Sequence, residues 1–393
     1  MNFSAIVLYA LAAICQTSGS SGAAMLAPFF MKEHGYPLAL VGIPLVANGV
    51  GRVCSDLLSG FMASYFSSGA LLVASMALAL LTSALGYFFL DLMPVFLGAW
   101  TVFGLTEAMF ALSLRKIGFD LAPAERQGRV QGQLAAALGI GFTMGPLLGG
   151  FVGNRLGPDA LFLLYGTPQM LGLALVLAAG AHRYRKASRP SAAPLWQEGL
   201  GLLKSPPFIA SCLAIFQCFL FLVGVTRVAF PFLALNHRGI GLEAIGAMVS
   251  ISRLTDTLGR YTGGWLSDRI QAARVILMGI SLGIPALALQ AYGESYLALL
   301  SPLALLTLGF GFTNVGSTTL ALQVAPAGAK GLGLGLSRAA TSAGQMLGPL
   351  LCGWLIERAG YERGFQWMAL ITAFVLFASW RGLRAAGHGE PVP

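Results

Sequence analysis

Residues 132–150 read GQLAAALGIGFTMGPLLGG, and residues 335–353 read GLSRAATSAGQMLGPLLCG. The two stretches share four glycines and one proline at matching places. An Ala-Pro pair precedes each copy at the same distance, as Ala122-Pro123 and as Ala325-Pro326. A repeat spaced by about half of the chain indicates two duplicated halves, an organisation that many membrane transporters share.

The composition agrees with a membrane protein. Apolar residues make up 56% of the 393 residues and charged residues only 10%, with a mean hydropathy of +0.76. Soluble domains carry about 25% charged residues, so we expect this chain to contact the lipid bilayer over much of its surface. The net charge of +9 does not indicate nucleic acid as a partner, because the Lys and Arg residues lie in short segments beside apolar spans.

Apolar windows of about 20 residues, each long enough to cross a bilayer, occur twelve times. The predicted spans are 5–31, 41–63, 70–89, 94–114, 128–151, 160–181, 207–235, 243–264, 275–292, 297–323, 332–356 and 364–383. We therefore predict an all-α membrane protein of twelve transmembrane helices in two pseudo-symmetric six-helix halves. Residues 1–181 form the first half, residues 182–206 a basic linker in the cytoplasm, and residues 207–393 the second half.

The distribution of positive charge gives the orientation. With the N-terminus inside, cytoplasmic segments carry fourteen of the 24 Lys and Arg residues and external loops carry five. Positive residues concentrate on the cytoplasmic side of membrane proteins, so both termini are predicted to be cytoplasmic.

This organisation resembles the major facilitator superfamily. The first signature has the pattern G-x8-G-x3-G-P-x2-G-G and is similar to the fifth-helix motif of that family's proton-coupled drug exporters. The resemblance implies a transporter, with no enzyme activity and no cofactor, that exports a small molecule by alternating access from a bacterial inner membrane. It also implies helix-packing roles for Gly141, Gly145, Pro146, Gly149, Gly344, Gly348 and Pro349.

Two family features are altered. The loop pattern G-x-L-x-D-R survives as GWLSDR at residues 264–269, whereas residues 60–65 read GFMASY. The resemblance therefore implies a cytoplasmic gate carried mainly by Asp268 and Arg269. The family's helix-four arginine, in R-x-x-x-G, is replaced by Trp100 in the window that ends at Gly104. Both departures leave open an alternative, an importer or facilitator of an organic anion with the same fold.

Eight charged residues lie inside the predicted spans, away from the span ends. Each costs about 2.5–3.5 kcal/mol on insertion scales unless it faces a partner or water. They are Arg52, Asp56, Glu107, Arg227, Arg253, Asp256, Arg260 and Arg338. We interpret them as the lining of a polar path, with the substrate and proton path assigned to Arg52, Asp56, Glu107, Arg227, Asp256 and Arg260.

The repeat suggests how these charges pair. Arg52 and Asp56 share one helix face, as do Asp256 and Arg260, because each pair is four residues apart. The repeat aligns Arg52 with Asp256 and Asp56 with Arg260, which suggests ion pairs between the halves that break during transport. Static pairs that hold the helices together are the alternative. The acids Asp56, Glu107 and Asp256 are also the candidates for binding a proton.

The balance of these charges also suggests the substrate. Five arginines against three acids favour an anionic or zwitterionic small molecule. The five cysteines all lie in apolar segments without a CxxC pair, so neither a disulfide framework nor a metal site is expected. A membrane-embedded enzyme or sensor would require a catalytic or metal cluster, which the sequence does not suggest. We expect the transporter to act as a monomer.

Overall fold

The computed structural model describes residues 3–121, 127–180, 201–325 and 330–384, without the side chains of residues 56–65 and a few others near helix ends. Within these ranges the chain is almost entirely helical and contains no β-strand. The predicted all-α class is therefore confirmed.

Six long helices form the first half of the chain. They are α1 (Phe3–Glu33), α2 (Ile43–Tyr65), α3 (Ser68–Phe88), α4 (Met93–Leu121), α5 (Gln127–Leu156) and α6 (Leu161–Ala178). The turns between them are short, and polar caps set some of the boundaries. The Oγ of Ser67 accepts a hydrogen bond from the amide of Ala70, which fixes the start of α3.

The second half repeats this order. It contains α7 (Pro206–Gly224), α8 (Leu242–Ile270), α9 (Ala272–Gln290) and α10 (Tyr296–Val324). The helical run Lys330–Arg384 is broken at Gly360, whose φ of 77° lies in the left-handed region that glycine tolerates. This break separates α11 (330–359) from α12 (361–384).

The helix α7 continues in a distorted form. After Gly224 the chain passes through two π-helical segments, Val225–Ala229 and Leu233–His237, on either side of Phe230–Phe232. Pro231 lies between them and lacks the amide hydrogen that would complete the regular helix. The span Pro206–His237 is nevertheless long and apolar enough to cross a membrane in one pass.

Eight helices of the described part meet a strict test of length and apolar composition for crossing a membrane, namely α1, α3, α4, α5, α6, α7, α9 and α10. The helix α8 is long enough but is more polar. It carries the charged residues Glu243, Arg253, Asp256, Arg260, Asp268 and Arg269. Such a helix is stable in a bilayer only where its charges face water or protein partners.

The chain divides into two compact units. The first unit comprises Met1–Tyr36, Ile43–Ser191 and Gly241–Ser250, and the second comprises Pro37–Gly42, Ala192–Ile240 and Ile251–Pro393. Each unit thus consists mainly of one sequence half and a short segment of the other. Residues 182–200 of the predicted linker lie outside the described residues.

In the first unit, the glycines of the signature bring α5 against α1. A Cβ atom at Gly141 would overlap the hydroxyl of Thr17, and one at Gly149 would lie 2.7 Å from the carbonyl oxygen of Gly22. The hydroxyl of Ser21 donates to the carbonyl of Phe142 at 3.3 Å. That carbonyl lacks its usual helical donor, because the donor would be the missing amide hydrogen of Pro146.

In the second unit, the glycines of the other copy bring α11 against the backbone of α7. Cβ atoms at Gly344 and Gly348 would overlap the carbonyl oxygens of Phe216 and Leu220. Further along the chain, a Cβ atom at Gly224 would overlap the sulfur of Cys352. Cys352 is the counterpart, in the second copy, of Gly149 in the first copy. The repeated glycines therefore serve close helix packing in both units.

Candidate functional site

The polar site of the first unit begins where α2 and α4 cross. A Cβ atom at Gly51 would overlap the carbonyl oxygen of Thr101, and a Cβ atom at Gly104 would overlap that of Asn48. The two backbones are therefore in direct contact, which only glycine permits at these positions. The contact places Arg52, next to Gly51, beside the helix that carries Glu107.

Arg52 and Glu107 form an ion pair between α2 and α4. The Nη2 of Arg52 donates to the Oε2 of Glu107, and the Nε of Arg52 donates to the Oδ1 of Asn48 at 3.0 Å. The hydroxyl of Tyr165 on α6 lies 3.5 Å from the other carboxylate oxygen of Glu107. The carboxylate side chain is only 10% exposed and the guanidinium side chain 31%. The described charges of this site therefore neutralise each other.

Two glutamines add a polar layer that sequence reasoning missed. The Nε2 of Gln169 on α6 donates to the Oε1 of Gln16 on α1, and both side chains are buried. Among the described residues, the Nε2 of Gln16 and the Oε1 of Gln169 have no hydrogen-bond partner. The sequence signal that could have indicated this layer is the presence of one glutamine within each of two apolar spans.

Trp100 occupies the position of the helix-four arginine mentioned above, and it packs within an aromatic cluster. Its side chain is 1% exposed, and its ring centroid lies 6.3 Å from that of Phe96 and 5.9 Å from that of Phe103. Phe103 in turn stacks on Tyr165 with a centroid distance of 3.7 Å. The cation of the polar site in this unit therefore comes from α2 and not from α4.

The second unit has a different arrangement where α8 and α10 cross. A Cβ atom at Gly311 would lie 2.6 Å from the carbonyl oxygen of Asp256, so these backbones also touch. Asp256, however, is paired along its own helix. The Nε and Nη2 of Arg260 donate to its two carboxylate oxygens at 2.8 and 3.0 Å. The Asp256 side chain is 8% exposed and that of Arg260 is 46% exposed.

Arginines outnumber acids in the predicted spans of the second unit. Arg227 is buried in the first π-helical segment of α7, and Arg338 is exposed on α11. The Nη2 of Arg253 on α8 lies 3.5 Å from the Oγ1 of Thr226. Together with Arg260, these make four arginines away from the span ends, where this unit has one acid, Asp256. The described spans of this unit thus carry an excess of positive charge.

The predicted gate residues lie at the C-terminal end of α8. Asp268 and Arg269 are both exposed, and the guanidinium carbon of Arg269 lies 3.9 Å from the ring centroid of Trp265. Neither forms an ion pair with another described residue. Their role as a cytoplasmic gate stays a prediction.

The proposed pairs between the halves also stay a prediction. In this structure Arg52 pairs with Glu107, and Asp256 pairs with Arg260, each inside its own unit. The side chain of Asp56 lies outside the described residues.

No cluster suited to a metal ion occurs in the described ranges, and the five cysteines there form no disulfide. A surface groove of about 450 Å³ runs along α8 and α10, lined by Ile251, Leu297, Ala298, Leu300, Ser301 and Ala304. It contains no charged side chain and is separate from the arginines described above.

Comparison with protein families gives one match over most of the chain. The Major Facilitator Superfamily model matches residues 9–337 and 218–393.

Three curated relatives share part of the sequence. An uncharacterised MFS-type transporter of Methanocaldococcus jannaschii is 22% identical over 65% of this chain and 66% of its own length. Monocarboxylate transporter 13 of Rattus norvegicus is 26% identical over 65% of this chain and 59% of its own length. The multi-drug resistance efflux pump PmrA of Streptococcus pneumoniae is 23% identical over 64% of this chain and 63% of its own length. The matches thus span less than two thirds of each relative.

Solved structures share the fold over nearly the whole chain. A bacterial homologue of the human lysosomal transporter Spinster has a TM-score of 0.79 at 14% identity, covering 99% of this chain and 98% of its own. The nucleoside transporter NupG has a TM-score of 0.78 at 15% identity, covering 98% of this chain and 100% of its own. These likenesses concern the fold.

Proposed function

Because the chain belongs to the Major Facilitator Superfamily, we propose that it is a secondary active transporter that carries a small organic anion or zwitterion across the membrane by alternating access. It acts without a cofactor and as a monomer. Its place is a bacterial inner membrane, with both termini in the cytoplasm, as the distribution of Lys and Arg residues indicates.

The observation that carries this proposal is the charge of the second unit. Arg227, Arg253, Arg260 and Arg338 lie in its spans with one acid, Asp256. Charges in a span are costly unless they face partners or water, and clefts lined with one sign of charge concentrate ligands of the opposite sign. An excess of positive charge within the spans therefore favours a substrate with a negative group over a lipophilic cation. The relationship to a monocarboxylate transporter supports the same substrate class.

The first unit supplies the site of proton coupling. One oxygen of Glu107 binds Arg52 and the other faces the hydroxyl of Tyr165. Protonation of Glu107 would remove the charge that holds Arg52, so the contact between α2 and α4 would loosen. A proton that crosses a potential of 100 mV supplies about 2.3 kcal/mol, which is enough to drive a modest substrate gradient.

The direction of transport that we propose is export. The fully matched signature on α5 and the relationship to an efflux pump support it. The burial of Trp100 where drug exporters carry arginine favours a second candidate, a facilitator or importer of an organic anion. The two candidates differ in whether a pH gradient drives accumulation of the substrate.

Purified protein in lipid vesicles tests both the substrate class and the coupling. Radiolabelled L-lactate and benzoate serve as anions, glycylsarcosine as a zwitterion, and tetraphenylphosphonium as a lipophilic cation. We expect an imposed pH gradient to drive accumulation of at least one anionic or zwitterionic probe. Glu107→Gln is expected to abolish the response to the gradient and to keep exchange of labelled for unlabelled substrate.

The controls separate the parts of the proposal. Arg384→Gln changes an arginine at the end of α12, so it should transport like the wild type. Movement of tetraphenylphosphonium alone would contradict the substrate class. Transport of an anion that ignores the pH gradient in the wild type would support the facilitator and contradict proton coupling.

A further inference from the structure

We propose that Arg253, positioned by the hydroxyl of Thr226, forms the subsite that accepts the carboxylate group of the substrate. The proposal rests on the function proposed above and adds the residues that bind the anionic group. Neither residue was among the site residues that the sequence predicted.

Several N–H donors of the Arg253 guanidinium have no side-chain acceptor among the described residues. A guanidinium carries five N–H donors, and the described contact of Arg253 with another side chain is a single long one, 3.5 Å to the Oγ1 of Thr226. Among the described residues no carboxylate lies within ion-pair distance of Arg253. A half-buried cation inside an apolar span is costly when it lacks an anionic partner, and a bound carboxylate would supply one.

Thr226 is oriented by its own helix. Its hydroxyl donates to the carbonyl of Leu222 at 2.7 Å, which leaves the oxygen lone pairs towards Arg253. The contact with Thr226 therefore holds one end of the guanidinium in place, and the remaining donors stay available for a ligand. This geometry suits a planar carboxylate, which accepts two parallel hydrogen bonds from one arginine.

The distorted continuation of α7 contains Thr226. Thr226 is the second residue of the π-helical segment Val225–Ala229, five residues before Pro231. Single π-helical turns within α-helices occur frequently at functional sites, because the widened turn moves one side chain out of the regular helical register. The distortion thus coincides with the residue that positions Arg253.

The neighbouring arginine is less suited to bind an anion. The Nε and Nη2 of Arg260 are both used by Asp256, which leaves fewer of its donors available to a ligand. Arg253, Thr257 and Arg260 nevertheless share one face of α8, because they are spaced by four and three residues. Thr257 and Arg260 are exposed on that face, so neighbouring side chains do not cover them.

Binding of simple carboxylates to the purified, detergent-solubilised full chain tests the subsite. The probes are acetate, L-lactate and benzoate, with lactamide and benzamide as uncharged counterparts, and the readouts are calorimetric affinity and the shift in Tm. We expect at least one carboxylate to bind and its amide not to bind. Arg253→Gln should weaken that binding by about 10- to 100-fold, the range for a lost hydrogen bond to a charged group.

Further variants distinguish a loss of binding from a loss of folding. Arg253→Lys keeps the charge without the forked donors, so an intermediate loss is expected even if Arg253→Gln is unstable. Thr226→Val should weaken binding by a smaller factor, about 3- to 10-fold. Arg384→Gln is the matched control and should bind like the wild type. Size-exclusion profiles and unliganded Tm values show whether each variant is folded.

Three results would overturn the subsite: no carboxylate binds the wild type, the amides bind as well as the acids, or folded Arg253→Gln binds with unchanged affinity. Vesicle transport separates this failure from that of the proposed function. If the wild type transports an anion and Arg253→Gln keeps the same KM, the subsite is wrong and the function stands. If the wild type transports neither anion nor zwitterion, the proposed function itself fails.

Discussion

The crossing of α2 with α4 in the first unit corresponds to the crossing of α8 with α10 in the second. The charged residues at the two crossings pair in different ways. At the first crossing the base lies on α2 and the acid on α4, so Arg52 and Glu107 join two helices. At the second crossing both charges lie on α8, so Asp256 and Arg260 join two turns of one helix.

This difference has two consequences. An ion pair between helices links their positions, so a proton on Glu107 would act on the packing of α2 and α4. A pair within one helix leaves the contact of α8 with α10 to backbone and apolar packing. It also leaves Arg253 without an ion pair to a carboxylate among the described residues. Under the proposals made above, one duplicated scaffold would provide a proton-responsive site in one unit and an anion-binding site in the other.

The largest expected effect tests whether the α2–α4 crossing depends on direct backbone contact. Gly104→Leu should lower the free energy of unfolding by about 3 kcal/mol, because its side chain would be forced into the backbone at Asn48. Gly98→Leu is the control on the same helix, where a Cβ atom would meet nothing within 4 Å. It should be neutral or raise the stability by up to about 1 kcal/mol. Thermal and denaturant unfolding in detergent measure both, and equal losses would contradict the close crossing.

The second prediction compares the two ion pairs directly. A double-mutant cycle with Arg52→Gln and Glu107→Gln should give a coupling energy of about 1–3 kcal/mol, because the carboxylate is nearly buried. The corresponding cycle with Asp256→Asn and Arg260→Gln should give about 0.5 kcal/mol, because Arg260 is half exposed and the pair lies within one helix. Unfolding of the single and double variants supplies both values. A larger coupling in the second unit would reverse the comparison.

The smallest effect concerns the polar contact at the first copy of the signature. Ser21→Ala should cost about 1 kcal/mol, because the carbonyl of Phe142, already without the amide of Pro146, would lose its donor. Ser281→Ala removes an exposed hydroxyl that bonds within its own helix to Met278, so its stability should change by less than about 0.5 kcal/mol. Unfolding midpoints in one detergent compare the two. An equal, small change in both would show that the polar contact at the first copy adds nothing.

The sequence predicted the helices well because their signals are local. Twelve apolar windows correspond to α1 through α12, and glycine at residues 141, 145, 344 and 348 lies where close helix contact had been expected. Arg52 and Glu107, two of the charges expected within the spans, pair with each other in the structure, as a charge within an apolar span requires a partner or water.

The partners of these charges could not be predicted in the same way. Periodicity grouped Arg52 with Asp56 on one helix face, whereas the structure pairs Arg52 with Glu107, because glycine at positions 51 and 104 lets two backbones touch. The amide pair of Gln16 and Gln169 depends in the same way on α1 meeting α6. Contacts between helices depend on which faces meet, and no local pattern contains that information.

The sequence by itself determined the duplicated all-α architecture, the membrane orientation that we predict, and the positive balance of interior charge. These follow from hydropathy, spacing and charge counts along the chain, which act on each segment separately. The tertiary structure alone decided which acid neutralises which arginine and which arginine is left with a neutral hydroxyl. The physical reason is that an ion pair requires contact within about 4 Å. Only the close crossings at the glycines, and the distorted turn of α7 at Thr226, bring the particular side chains that close together.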